Sequence, residues 1–198
     1  MRGVTMAGVR RFEEDEVLAR AEAVFRRKGF EATSMCDLAE ATGVQRGSLY
    51  NAYGDKEALF LRAFDAYEAR IVGAVESALA GAPGAAGLER LFETLIANMT
   101  FNDAARGCLT TRLAAEGDLA SPKVAVRVRA LLSRLETAIG TALDRPEARA
   151  GLALPPPDAA RLIVTFTRGL AVMERVHGDP TRLRATARDL ARLLYPVG

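Results

Sequence analysis

The sequence predicts an all-α protein of about nine helices. Apolar residues recur at helical spacing along nearly the whole chain of 198 residues, and no segment of useful length alternates between apolar and polar residues. Glycine and proline separate the helical segments. The length suits one full-sized domain or two small ones.

Composition excludes several classes of protein. With 49% hydrophobic and 26% charged residues, the chain is typical of a globular protein and unlike a disordered or fibrous one. The 27 basic and 25 acidic residues nearly cancel, so net charge indicates no partner. One histidine and two cysteines are too few for a zinc ribbon or a catalytic metal cluster, and we expect no cofactor.

The cysteines form no disulfide framework, and a reducing cytoplasm suits them best. The N-terminus has no apolar signal region, and no apolar run approaches the ~20 residues of a membrane span. We therefore expect a soluble, cytoplasmic protein. Met1 and Met6 are both candidate starts of translation.

The first helix is amphipathic and ends near Lys28. Its acidic run Glu13–Glu16 is expected in the first turn and its basic run Arg26–Lys28 in the last, an order that suits the helix dipole. Gly29 is expected to end it in a left-handed C-cap, after which Phe30 returns to the core.

Two short helices and a long one follow. Ser34 and Asp37 resemble a capping box that opens a helix to about Thr42, where Gly43 ends it. A second short helix runs over 45–52, and Asp55 caps a long helix over 56–80.

The second half of the chain is also helical. A linker is expected at 81–84, and Ser121-Pro122, the proline run at 155–157 and Asp179-Pro180 are typical helix starts. The predicted helices are 88–99, 108–116, 122–143, 159–177 and 180–194.

The two short helices predict a helix-turn-helix. Small and apolar residues at Leu38, Ala39 and Val44 allow the helices to cross closely. The second helix places Leu49 inward. Its outward residues are of the types that bind base edges and phosphates, namely Gln45, Arg46, Ser48 and Asn51. Two turns suit insertion into a major groove.

About 50 contiguous residues resemble the N-terminal signature of TetR-type transcriptional regulators. The segments that carry the resemblance are Phe30–Ser34, Asp37–Ala39, Ala41–Val44, Gly47–Tyr53 and Asp55–Leu59. Ala52-Tyr53 departs from the more usual Tyr/His-Phe of the family, although Tyr53 can take the aromatic role.

The resemblance implies a homodimeric repressor with a DNA-binding domain over 1–56 and a ligand-binding and dimerisation domain over 57–198. It places Gln45, Arg46, Ser48, Tyr50 and Asn51 at the DNA. Tyr50, Tyr53 and Lys56 would contact phosphates, and Thr33 and Ser34 would bind phosphate at a helix N-terminus. Arg2, Arg10 and Arg11 would form a basic arm.

Simpler interpretations remain open for some of these residues. Tyr50 and Tyr53 also fit as core aromatics, and Arg10-Arg11 fits as a solvated tail. Residues 1–56 contain nine basic and nine acidic residues, so charge gives the DNA-binding hypothesis no independent support.

The second domain, residues 57–198, is called the body. It is expected to hold either a solid core or a pocket for a small, mainly apolar effector. The candidate pocket residues are Phe92, Ile96, Met99, Cys108, Thr111, Phe166 and Met173. The last two helices are the expected dimer interface, as in the family. Its apolar residues would be Leu162, Ile163, Phe166, Leu170, Met173, Leu183, Leu190, Leu193 and Leu194.

Cys108 is a candidate sensor of oxidants or electrophiles. Arg106-Gly-Cys-Leu109 resembles a segment of one branch of the family in which some members sense through the cysteine. A thiol at a helix N-terminus near Arg106 and Arg112 is expected to have a lowered pKa. The alternative, which the sequence favours, is a small buried hydrophobe.

Two other functions fit the sequence less well. The same fold can be gated by a protein partner, or not gated, which a solid core would favour. An enzyme is disfavoured, because the sequence has no suggestive catalytic triad, glycine-rich phosphate loop or metal cluster.

Overall fold

The computed structural model describes residues 6–100, 107–115, 117 and 121–196, with side chains from residue 14 onward. The proposed arm residues Arg2, Arg10 and Arg11 therefore lie outside the described side chains. Arg106, which was expected beside Cys108, also lies outside the described residues.

The described residues form ten α-helices and no strand. In chain order they are α1 Met6–Lys28, α2 Met35–Thr42, α3 Arg46–Tyr53, α4 Lys56–Ala80, α5 Gly84–Thr100, α6 Leu109–Ala115, α7 Pro122–Leu143, α8 Pro146–Arg149, α9 Pro156–His177 and α10 Pro180–Leu194. None of the described helices is long and apolar enough to cross a membrane.

Two features of the helix prediction need correction. The count rises from about nine to ten because α8 is a single turn opened by Pro146, too short to show helical periodicity. The first helix begins at Met6, so the acidic run Glu13–Glu16 lies inside α1 and its first turn has no acidic residue. The predicted dipole pairing therefore holds only at the basic C-terminal end.

The predicted caps within residues 1–56, which we call the head, are confirmed. Ser34 accepts a hydrogen bond from the Asp37 backbone N–H, and the Asp37 carboxylate accepts from the Ser34 N–H, which completes the capping box of α2. Asp55 accepts from the Ala58 N–H at 2.7 Å and opens α4. Gly43 has φ +71°, a left-handed conformation that favours glycine and turns the chain between α2 and α3.

A continuous core joins the head to the body through α4. In the head, Phe25 and Phe30 meet Phe60 edge-on, with ring centroids 5.0 and 5.1 Å apart. Further along α4, the buried Glu68 binds both Arg127 and Arg134 of α7 at 2.9 Å. The long helix therefore connects the helix-turn-helix to the body by apolar packing and by ion pairs.

Candidate nucleic-acid interface

Helix α3 has one fully buried residue, Leu49. Leu49 is 1% exposed and packs in the same core as Leu38 of α2, which is fully buried. Every other residue of α3 except the half-buried Tyr53 is exposed. The helix therefore presents a polar surface that the rest of the head leaves uncovered.

Arg46 lies at the start of this surface. Its guanidinium lies 5.5 Å from the centre of the Tyr50 ring, and Nη1 is 3.7 Å from Sγ of the exposed Cys36 on α2. Gln45 is exposed and its side chain makes no capping hydrogen bond. Ser48 and Asn51 are also exposed. The polar groups of this helix thus remain available to a partner.

The two tyrosines differ in exposure. Tyr50 is 39% exposed, so its ring is not part of the core. Tyr53 is half-buried against the core, and burial raises the pKa of its hydroxyl, with Glu14 acting in the same direction and Arg62 opposing. Only Tyr53 thus partly fits the alternative of a core aromatic.

Thr33 and Ser34 lie together before α2 but differ in what their hydroxyls do. The Thr33 side chain is buried and its hydroxyl donates to the Gly29 carbonyl at 2.5 Å, so that hydroxyl already has a partner inside the protein. Ser34 is exposed, and its hydroxyl lies 2.8 Å from the Asp37 carboxylate. Both hydroxyls therefore have a partner within the head, and Ser34 differs from Thr33 in being exposed.

Lys56 joins the start of α4 to the loop before α2. Its ammonium donates to the carbonyls of Phe30 at 2.9 Å and Glu31 at 3.3 Å, and lies 4.5 Å from the centre of the Phe30 ring. Lys56 therefore positions the loop that leads into Thr33 and Ser34, a structural role that the sequence did not reveal.

Most of the candidate pocket residues lie in the body core. Phe92, Ile96, Met99 and Cys108 are buried, and the half-buried Phe166 meets Phe92 edge-on with centroids 5.6 Å apart. Thr111 is half-buried, and its hydroxyl is enclosed with no hydrogen-bond partner among the residues that the structure describes.

Met173 differs from the rest of this set. It is 46% exposed on α9, whereas the other candidate pocket residues are buried or half-buried. The apolar residues expected at the dimer interface divide in the same way. Ile163, Leu170, Leu183 and Leu194 are buried within the protomer, Phe166 and Leu190 are half-buried, and Leu162, Met173 and Leu193 are exposed.

Cys108 lies immediately before α6 inside a buried polar cluster. Its Sγ is 3.3 Å from Nη1 of Arg168, 3.1 Å from the Thr110 hydroxyl and 3.8 Å from the Tyr67 hydroxyl. Burial by itself raises the pKa of this thiol, but the Arg168 charge and hydrogen bonds to the sulfur lower the pKa to about 6.

The source of this effect differs from the expectation. The sequence indicated Arg106 and Arg112 as the activating cations; Arg106 lies outside the described residues, and the structure adds a guanidinium in contact with the sulfur from Arg168 on α9. The two residues are 60 positions apart, so no local pattern pairs them. The same polar contacts distinguish Cys108 from a purely apolar packing residue.

An exposed two-turn helix with a polar surface, held by a glycine turn against a second short helix, defines a helix-turn-helix DNA-binding protein. Comparison with known families agrees. Residues 17–63 match the model for bacterial regulatory proteins of the tetR family, and residues 84–190 match the tetracyclin repressor-like C-terminal domain. The chain belongs to the TetR family of transcriptional regulators, which are DNA-binding proteins and not enzymes.

Curated relatives share the N-terminal part. The chain is 40% identical over 68 residues to the HTH-type transcriptional repressor ComR of Escherichia coli, a match that covers 34% of this chain and 32% of ComR. It is 36% identical over 58 residues to the repressor BdcR of the same organism, covering 29% of each chain. The chain thus spans about a third of the length of these curated relatives.

Solved structures extend the likeness to the body. A cysteine mutant of the TetR family regulator CifR, complexed with double-strand operator DNA, is 30% identical with a TM-score of 0.79, and the match covers 90% of this chain and 95% of CifR. The reduced form of NemR of Escherichia coli has a TM-score of 0.81 at 16% identity, covering 94% of this chain and all of NemR, which shows the shared fold.

Proposed function

We propose that this chain is a homodimeric repressor that binds a pseudo-palindromic operator and is released by a small, mainly apolar molecule. The observation that carries the proposal is α3, a helix anchored by Leu49 and partly by Tyr53, whose other residues are exposed and mainly polar. Residues 1–56 would form the DNA-binding domain and residues 57–198 the domain for effector and dimer contacts.

Each candidate residue has a role in this proposal. Gln45, Arg46 and Ser48, on the exposed surface at the start of α3, would meet base edges and phosphates in the major groove. Asn51 would add a contact further along the helix. Phosphates would be bound by Tyr50, Tyr53, Lys56, Ser34 and the backbone N–H groups at the start of α2 beside Thr33.

An exposed apolar stripe on α9 supports dimerisation. Leu162, Val172, Met173 and Val176 are 40, 43, 46 and 66% exposed. Together with the exposed Gly169, each of these residues lies three, four or seven positions from another of them. They therefore occupy one face of α9. Leu193 of α10 is 73% exposed as well. An apolar face of this kind is suited to an isologous interface with a second copy of the chain.

Effector binding would act by selecting a body conformation in which the two heads no longer match the half-site spacing. The candidate pocket consists of the apolar residues Phe92, Ile96, Met99 and Phe166, with Thr111 supplying a polar atom. The Thr111 hydroxyl is enclosed and has no partner in the described part of the chain, which suits an effector with one or two polar atoms.

A second mode of release is modification of Cys108, favoured by the contact between its sulfur and Arg168 at 3.3 Å. A neighbouring guanidinium stabilises the thiolate, which is the nucleophilic form. With iodoacetamide as a probe, the sulfur forms an S–C bond while the C–I bond breaks. Iodide leaves and the thiol proton passes to the buffer. The adduct adds volume to a site that is 5% exposed, so its surroundings must shift.

The test of the main proposal is selection of a random DNA library on the purified protein at about 0.15 M salt. We expect an enriched palindrome with two half-sites one helical turn or a multiple apart. Failure to enrich any sequence, both without effector and with candidate apolar ligands added, would contradict operator binding.

Release of DNA by modification of Cys108, which we call thiol gating, needs a separate test. In a Cys36→Ser background, iodoacetamide is expected to alkylate Cys108 and to weaken binding to the selected operator. The matched protein, Cys36→Ser with Cys108→Ser, is expected to bind equally before and after treatment. If complete alkylation of Cys108 leaves operator affinity unchanged, thiol gating is wrong while operator binding stands.

A further inference from the structure

Arg26, near the end of α1, is a buried cation in the DNA-binding head that reaches into the body. Its side chain is 9% exposed. Nη2 donates to the carbonyl of Asn98 in the last turn of α5 at 2.9 Å and to the carbonyl of Gly107 at 2.7 Å. One guanidinium therefore holds the end of α5 and the peptide immediately before Cys108.

The surroundings of Arg26 balance its buried charge. Glu22, one turn earlier on α1, lies 3.6 Å from Nη1 of Arg26 and accepts hydrogen bonds from Arg70 of α4 at 2.9 and 3.0 Å. The carbonyls at the end of α5 carry the negative end of its dipole, which favours a cation at this place. Arg26 is thus held by Glu22 of α1 and by the end of α5, while Arg70 of α4 binds the same Glu22.

The Cys108 cluster adjoins this anchor. The Gly107 carbonyl that accepts from Arg26 belongs to the peptide that leads directly into Cys108. The Tyr67 hydroxyl, 3.8 Å from the Cys108 sulfur, is also within the electrostatic influence of Arg26. A displacement of Cys108 therefore moves the carbonyl to which α1 is attached.

We infer that Arg26 is the positioning residue that transmits a change at the Cys108 segment to the DNA-binding head. Adding volume at Cys108 would displace the Gly107 peptide, and the Arg26 hydrogen bonds would carry that displacement into the last turns of α1. These turns include Phe25, which packs on Phe60 of α4. Because packed cores switch between discrete arrangements, a small shift here is enough to reorient the head. This inference rests on the proposed function for its effect on DNA.

The first test measures coupling through operator affinity. In the Cys36→Ser background, we expect iodoacetamide to raise Kd for the selected operator at least tenfold. With Arg26→Met added, Kd is expected to change less than twofold on alkylation, because the link is absent. Arg27→Met, at the exposed neighbouring position of α1, is the matched control and should retain the tenfold response.

Arg26→Lys keeps the charge and separates coupling from simple destabilisation. One ammonium can still donate to a carbonyl, so this variant should recover part of the response. A response to alkylation in Arg26→Met equal to that of the parent would overturn the inference and leave thiol gating intact. Loss of the response in Arg27→Met would also overturn it, since the effect would then not be specific to Arg26.

The second test needs neither DNA nor thiol chemistry. Gly107 has φ +97°, and a Cβ added there would lie 3.3 Å from Cδ of Arg175, so Gly107→Ala strains the segment. We expect this change to accelerate amide hydrogen exchange in the last two turns of α1 at least fivefold. In an Arg26→Met protein the same change should add less than twofold.

Equal acceleration in the two backgrounds would overturn the inference, whatever the DNA measurements show. Failure of the parent protein to select an operator, or to respond to alkylation, would instead count against the proposed function. Exchange in α7 serves as the internal reference for global unfolding. Its rate should be unchanged between variants that remain folded.

Discussion

The head and the Cys108 region use polar side chains in opposite ways. In the head, the polar groups of α3 are exposed and make few contacts with the rest of the protein. Around Cys108, the hydroxyls of Thr110, Thr167 and Tyr67 are buried and linked to each other through Cys108 and Arg168. The polar groups of α3 are therefore at the surface of the head, whereas the polar groups around Cys108 form an enclosed network in the body.

This difference in the exposure of polar groups suits two different functions. An exposed polar surface is suited to a large external partner such as DNA, because it needs no rearrangement to bind. A buried network responds to a change at any one member, because an unsatisfied buried polar group is costly. Arg26 is the contact that connects the two regions across the interior.

The largest expected effect concerns the exposed apolar stripe of α9, which is the proposed dimer interface. Val172→Asp places a carboxylate in this stripe, where the twofold symmetry of the proposed dimer would bring two such charges together. We expect a monomer in sedimentation equilibrium and operator affinity at least about 100-fold lower, since two half-sites are no longer bound at once.

Val126→Asp is the matched control, because Val126 is also an exposed valine, 55% exposed, but on α7. It should leave both the mass and the operator affinity unchanged. A Val172→Asp protein that remains dimeric would place the interface elsewhere.

The next effect concerns base reading in the head. Arg46→Ala removes an exposed guanidinium from the start of α3 and is expected to cost about 1–3 kcal/mol of operator binding with relaxed sequence preference. Repeating the library selection on this variant measures both. Tyr50→Ala, one turn along, should instead weaken binding to operator and random DNA alike, because a phosphate contact carries no sequence information. Selection of the same sites with undiminished enrichment would remove Arg46 from base readout.

A smaller effect is expected from the ionisation of Cys108 in the body. Because the pKa of Cys108 is lowered to about 6, its alkylation rate should be nearly constant above pH 7 and fall about tenfold between pH 7 and pH 5. The rate is measured by mass spectrometry of the Cys36→Ser protein. The thiolate is favoured in the folded state, so its contribution to stability is lost as the pH falls towards 6. A rate that still rises steeply between pH 8 and pH 9 would contradict the lowered pKa.

The smallest effect tests the local structure of the head. Ser34→Ala removes one half of the capping box of α2 and should lower the free energy of unfolding by about 1 kcal/mol, as measured by urea denaturation. Hydrogen bonds from Lys28 and from Ser34 hold the pKa of Asp37 well below its usual range, so the partner carboxylate stabilises the fold at neutral pH.

That contribution should fade as the pH falls below about 4, the ordinary pKa of an aspartate in the unfolded chain. Ser48→Ala changes an exposed serine that caps no helix and should leave stability unaltered. Equal stability of the Ser34→Ala protein and its parent would mean that the box does not support α2.

The helix-turn-helix was predictable because its signals are local. Gly43, the capping box at Ser34 and the buried Leu49 each act within a few residues, and the structure has all three as expected. The start of α1 was not predictable in the same way. Glu13–Glu16 is typical of a first turn, but the helix continues upstream to Met6, since acidic residues are also tolerated inside a helix.

The sequence by itself determined the all-α fold, the principal caps and the family, because periodicity, capping and the motif depend on neighbours along the chain. Only the tertiary structure decided that Arg168 contacts Cys108, that Met173 lies on the outer face of α9 and that Arg26 holds the Gly107 carbonyl. Arg26 and Gly107 are 81 positions apart. Such contacts depend on how helices pack against one another. The spacing of apolar residues within one helix does not determine which other helix packs against it.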